Sequence, residues 1–92
     1  MEVCIMDIGK IKGIIKSAGR NLHTIILTAR EVDGSVESRE AEPYSYRYSK
    51  DGKELFFCYD IGKNGTRSFH VENIISVEET ENEFKPRWSV EV

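Results

Sequence analysis

The sequence is poor in the residues from which most enzyme chemistry is built. It has two cysteines and two histidines in 92 residues. Cys4 and Cys58 form no C-x-x-C pair, so neither a zinc ribbon nor a thioredoxin-type motif is present, and two free thiols in a reducing compartment are expected. His70-Val71-Glu72 has the H-x-E order of zinc deaminases but lacks the P-C-x-x-C half that would complete the metal site. Gly9 and Gly13 lie inside a helical pattern, with no preceding strand and no GKS/T, so no phosphate-cradling loop is formed. Serines and acids are scattered without the context of a nucleophile elbow. The expectation is a protein that is not an enzyme and holds neither metal nor cofactor.

Long apolar runs are also missing. The richest stretches, Ile25 to Leu27 and Leu55 to Tyr59, are far shorter than a membrane span. Met1-Glu2-Val3-Cys4 lacks the basic start and apolar block of a secretory signal, so a cytoplasmic location away from membranes is expected. Asn64-Gly65-Thr66 then reads as a turn rather than a glycosylation site. Positive charge is not in excess: the net charge is −3, and the deficit lies in residues 71–92, where Lys85 and Arg87 face Glu72, Glu78, Glu79, Glu81, Glu83 and Glu91. The first 70 residues are close to neutral. This argues against broad binding to duplex DNA, which needs a wide basic footprint, and is compatible with a small basic pocket for one anionic ligand.

What remains is a globular composition, 39% hydrophobic and 32% charged, in a chain long enough for one core. All the aromatic residues follow Pro43, and the earlier part is filled with Ile, Leu and Val. A short helix is predicted over residues 7–19. Asp7 is placed to cap it, Ile8, Ile11, Ile14, Ile15 and Ala18 recur at helical spacing, and Gly19 is placed to end it. Strand chemistry follows from about residue 22 to residue 80, and an acidic tail occupies 81–92. Leu22 to Glu31 reads as a strand, Val32-Asp33-Gly34-Ser35 as a turn, and Val36 to Glu42 as a polar strand ended or bent by Pro43.

Two hairpins follow. A two-residue Asp51-Gly52 turn would pair Tyr48 with Leu55, Tyr46 with Phe57 and Tyr44 with Tyr59 on one face, leaving Ser45, Arg47, Phe56 and Cys58 on the other. The tyrosine stripe is then core or half-core, or else a base-stacking platform. At Lys63-Asn64-Gly65, a two-residue loop would set Tyr59 opposite His70. A three-residue loop with Gly65 left-handed sets Tyr59 opposite Phe69, and is preferred because it keeps apolar with apolar. A last strand, Ile74 to Thr80, is expected, and the tail around Trp88 is a candidate edge segment. One helix followed by about five short antiparallel strands hides its edges best by curling into a small barrel.

Two arginines fall on strand faces with apolar neighbours: Arg39 shares parity with Ala41, and Arg67 with Phe69 and Val71. Singly, such arginines snorkel at a barrel end or pair with Glu. Together at one rim they would form a fork for a phosphate or carboxylate.

Arg39-Glu40-Ala41-Glu42-Pro43-Tyr44 resembles the "R-x-v-e-P-y" segment of WYL domains. Leu55-Phe56-Phe57 stands where that family has its Trp-Tyr-Leu triplet, and Thr66 to Ile74 resembles its "R-x-F-r-l-d-R-I" segment, with Phe84 at the trailing apolar position. The similarity runs from about Leu22 to Phe84. Leu55 replaces the triplet's Trp, and Asn73 replaces the Arg of "d-R-I". The resemblance implies a mainly β fold, a small SH3-like (Sm-like) five-stranded antiparallel barrel with a short N-terminal helix. It also implies a ligand-sensing module of the kind found in transcription regulators, with no DNA-reading helix-turn-helix in front of it here. On that reading Arg39 and Arg67 would hold a nucleotide or short single-stranded nucleic acid. Tyr44 or Phe56 would provide a stacking surface, and His70 and Asn73 polar contacts. The alternative is a barrel without a small ligand, which offers an edge strand or its Trp88 tail to a regulator protein or to another copy of itself.

Overall fold

The structure, a computed structural model, describes residues 7–92, so Cys4 lies outside it. A helix, α1 (Ile8–Asn21), precedes five strands: β1 (His23–Arg30), β2 (Val36–Tyr48), β3 (Glu54–Asp60), β4 (Gly65–His70) and β5 (Ile74–Glu83). They form one antiparallel sheet in the order β4-β3-β2-β1-β5. A single 3₁₀ turn, Val71–Asn73, carries the chain from β4 to β5. These outer strands are not hydrogen-bonded to each other, so the barrel is open. No helix among the described residues is long and apolar enough to cross a membrane.

The sheet bends because one strand serves both halves. Residues Val36 to Ala41 of β2 pair with β1, and Ala41 to Tyr48 pair with β3. Pro43 does not end the strand. The register shifts between Pro43 and Ser45, leaving Tyr44 as the extra residue of a bulge, a place where a residue without an N–H is tolerated.

Asp7 caps α1 as expected, its carboxylate accepting from the Lys10 N–H at 3.0 Å. Ile11, Ile15 and Ala18 are buried against Ile25, Leu27, Ala41, Phe56, Cys58 and Val77, which makes the core. The helix end differs from expectation. Gly19 does not stop it; α1 runs on to Asn21, and Leu22 takes the left-handed conformation (φ 56°). Gly19 is buried, and a Cβ there would collide with the side chain of Val92 and press on Val90 at 3.2 Å. Its smallness therefore makes room for the C-terminal segment.

That segment adds no strand. It crosses the bulge as a strap: Phe84 N–H donates to Leu22 O (2.9 Å) and Glu91 N–H to Tyr44 O (2.6 Å). Trp88 stacks on Tyr44 with centroids 4.2 Å apart, and Phe84 meets the same ring edge-on at 5.8 Å. Gly19→Ala should consequently loosen residues 88–92 while shifting global stability by no more than about 1 kcal/mol, because the helix gains what glycine costs it. Amide NMR would show moved Val90 and Val92 resonances, and an unmoved tail would refute the role given to Gly19.

Both hairpins depart from the expected registers. Ser49 N–H donates to Lys53 O (2.8 Å) and Gly52 is left-handed (φ 83°), so Lys50-Asp51-Gly52 is a three-residue loop. Tyr48 then pairs with Glu54, Arg47 with Leu55 and Tyr46 with Phe56. This one-residue slip sends every β3 side chain to the other face. Phe56 and Cys58 enter the core at 0% exposure, and Leu55, Phe57 and Tyr59 take the outer face. The tyrosine stripe is split: Tyr44 is buried, Tyr46 leans on Phe56 (5.5 Å) and Tyr48 is 73% exposed. Burial pushes the Cys58 thiol up to about 12, helped by the charge of Asp60.

In the β3–β4 turn the left-handed residue is Asn64 (φ 52°), not Gly65. Four residues, Ile61 to Asn64, make the loop, and Asp60 pairs with Gly65. Asp60 fixes it by accepting from the Lys63 N–H at 3.2 Å. Neither expected pairing of Tyr59 holds; it lies opposite Thr66, and Phe56 opposite Phe69.

Candidate functional site

The registers bring Arg39 and Arg67 to one corner of the open barrel. Arg39 lies opposite Leu27 on β2, and Arg67 opposite Cys58 on β4. Both parities are inward, as is that of Phe69, two residues after Arg67. Their guanidiniums flank the Phe69 ring, Arg39 at 5.3 Å and Arg67 at 5.1 Å from its centroid. Sequence parity placed each arginine on the inner face; only the β2–β3–β4 pairing brings them together.

The two arginines are unequally engaged. The Arg39 side chain is 8% exposed and forks between Asp60 and the turn that follows β1. One nitrogen donates to Asp60 Oδ2 (2.7 Å); the other donates to Glu31 and, more distantly, to Glu37 (3.4 Å). Its Nε is buried without an acceptor among the described residues. Asp60, with a side chain 2% exposed, is pushed up by burial, but the hydrogen bond from Arg39, the Lys63 N–H and the nearby guanidinium charges hold it below the usual carboxylate range. Arg67 is 32% exposed and, among the described residues, has a single carboxylate contact, to Glu31 Oε1 at 3.4 Å. One oxygen, Glu31 Oε1, therefore accepts from both arginines.

Two grooves open here. One, of about 440 Å³, runs along Ser38, Arg39 and Asp60 to the Ile61–Lys63 turn. The other, of about 400 Å³, lies between Glu31, Asp33, Glu37, Lys63 and Arg67. Lys63 borders both and makes no salt bridge among the described residues. Three cations (Arg39, Lys63 and Arg67) thus stand among four carboxylates (Glu31, Asp33, Glu37 and Asp60), while the Glu40 carboxylate is held elsewhere by Thr24 and Asn82.

The other expected site residues lie elsewhere. Phe56 is in the core, so no base can stack on it. Tyr44 is fully buried; its hydroxyl donates to Glu42 (2.6 Å) and accepts from the Arg87 N–H (3.0 Å), and its ring is taken by Trp88. Burial, with Glu42 as hydrogen-bond partner, pushes that phenol up to about 12. His70 ends β4 three residues after Arg67, an odd spacing that turns it to the outer face, and its Nδ1 is buried without a partner among the described residues. Asn73 ends the 3₁₀ turn beyond it. The aromatic ring of the corner is Phe69, and its remaining members are Glu31, Asp60 and Lys63. None of these was singled out from the sequence, because a turn carboxylate and a turn lysine carry no signal until folding brings the β1–β2 and β3–β4 turns side by side.

The architecture is that of a small, open, five-stranded β-barrel domain with an ionic corner between two turns. No family model and no curated protein matches the sequence. Among solved structures, proteasome accessory factor B/C (PafBC) of Arthrobacter aurescens shares the fold, with a TM-score of 0.72 and 23% identity. The match covers 83% of this chain and 12% of that chain, so the likeness is to a small part of a much longer protein. At that identity the likeness is one of fold.

Proposed function

We propose that this domain is a WYL-like regulatory module that holds an anionic ligand, a nucleotide or the end of a short single-stranded nucleic acid, at the Arg39–Arg67 corner. The observation that carries this reading is the convergence of both guanidiniums on the Phe69 ring and on a single acceptor oxygen. Two N–H donors aimed at one oxygen describe the position an oxyanion would take. Arg39 is the anchored member, held by Asp60; Arg67 and Lys63 are the exposed cations that a ligand meets first. The fold shared with PafBC supports the regulatory part of the reading.

The test is an amide NMR titration of wild type and Arg67→Ala with nucleotides and short single-stranded oligonucleotides, at low and moderate salt. Shifts should cluster on the turns at residues 31–36 and 61–65, weaken steeply with salt and vanish in the variant. Shifts that survive Arg67→Ala would end this reading. A protein partner is the second reading, favoured by the outer edges of β4 and β5, which have no strand partner among the described residues. Trp88 is folded back on Tyr44, so an edge rather than the tail would carry that contact. A solution mass well above 10.6 kDa would favour it.

A further inference from the structure

Glu31 already sits where the ligand would. It follows β1 directly, and its own turn pins its backbone: its N–H donates to Ser35 O at 2.7 Å and its carbonyl accepts from Gly34 N–H at 2.9 Å. Its side chain is 14% exposed, and Oε1 closes the gap between Arg39 and Arg67. A tethered carboxylate of this kind competes with any incoming anion at a high effective concentration. Glu37 and Asp33 stand around the same grooves and repel further negative charge.

From this balance we infer that Glu31 is the selectivity residue of the corner, and that the ligand class it admits is a terminal phosphomonoester rather than a phosphodiester or a carboxylate. The inference rests on the anion-binding reading above. To displace Glu31, a ligand must offer the two arginines more than a carboxylate does. A phosphomonoester carries about −1.5 to −2 charges at pH 7 and three strong acceptor oxygens, enough for Arg39, Arg67 and Lys63 together. A phosphodiester carries only one charge, no more than the carboxylate it must replace. A strand of diesters would also lay further negative charge along the surrounding carboxylates. The corner is thus built to take one phosphate at the end of a molecule, and Glu31 turns away the rest.

The test compares adenosine 5′-monophosphate with the dinucleoside adenylyl-adenosine, which has one phosphodiester and no phosphomonoester. Both are titrated by NMR into wild type, Glu31→Gln and Arg67→Ala. Glutamine keeps the shape and an acceptor oxygen for both arginines but not the charge. Wild type should bind the monophosphate at least tenfold more tightly than the dinucleoside, a comparison that needs no variant to fold. Glu31→Gln should bind the monophosphate about tenfold more tightly than wild type and should gain affinity for the dinucleoside. Monophosphate binding to wild type should weaken as pH falls through about 6, where that phosphate loses its second charge. Arg67-dependent shifts that treat both probes alike, before and after Glu31→Gln, would overturn the inference and leave the anion-binding reading standing. No Arg67-dependent shift with either probe in wild type or Glu31→Gln would end both.

Discussion

Arg39→Ala is expected to cost about 3–5 kcal/mol of stability, a large fraction of what a domain of this size possesses. Removing the guanidinium leaves Asp60, with its side chain 2% exposed, as an uncompensated buried charge, and strips Glu31 of its closer partner. It also frees the β3–β4 turn, because the carboxylate that accepts from the Lys63 N–H is the one Arg39 holds. Arg67→Ala should cost less than about 1 kcal/mol, since that side chain is partly exposed and its carboxylate contact among the described residues is long, at 3.4 Å. Urea denaturation of both variants at pH 7 checks the contrast, and equal losses would refute this division between anchor and ligand-facing cation. The same pair makes stability depend on acid. The folded pKa of Asp60 lies below its unfolded value, so its contribution is fully present above the usual carboxylate pKa of about 3.9 and is lost as pH falls through the folded value. Arg39→Ala should flatten that acid limb.

Phe56→Ala should cost a comparable 3–5 kcal/mol, the range for emptying a fully buried aromatic position. Phe56 lies between Tyr46 and Phe69 on the inner face of three neighbouring strands, so the cavity would open beneath the Phe69 ring that separates the two arginines. Loss of ligand binding in this variant would accordingly track its loss of fold. Phe57→Ala, one residue on and on the outer face, should be distinctly milder. A denaturation midpoint for Phe56→Ala close to that of wild type would mean that the β2–β3 register is the two-residue one after all, with Phe56 on the surface.

Those two phenylalanines mark the limit of what local sequence encodes. Asp51-Gly52 marks a turn unmistakably, but loops of two and three residues share that signature. The choice was made by interactions that are not adjacent in the chain: Tyr46 with Phe56 and Phe56 with Phe69. Because side chains alternate at a period of two, this single residue of slip exchanged core for surface along all of β3. Gly19 shows the same limit at a helix end. A glycine after an amphipathic run signals a cap, whereas here it is kept small by Val90 and Val92, some seventy residues away in the chain.

The residues by themselves determined the amphipathic helix and its Asp7 cap, the number of strands, the positions of the three hairpin turns and the inward parity of Arg39 and Arg67, because periodicity and turn chemistry are local. Only the tertiary structure decided which residues meet: Arg39 with Asp60, both arginines with Glu31 across Phe69, and Tyr44 with Trp88 rather than with a ligand. Long-range strand register and the docking of turns depend on the summed packing of the whole sheet, which no short stretch of sequence encodes.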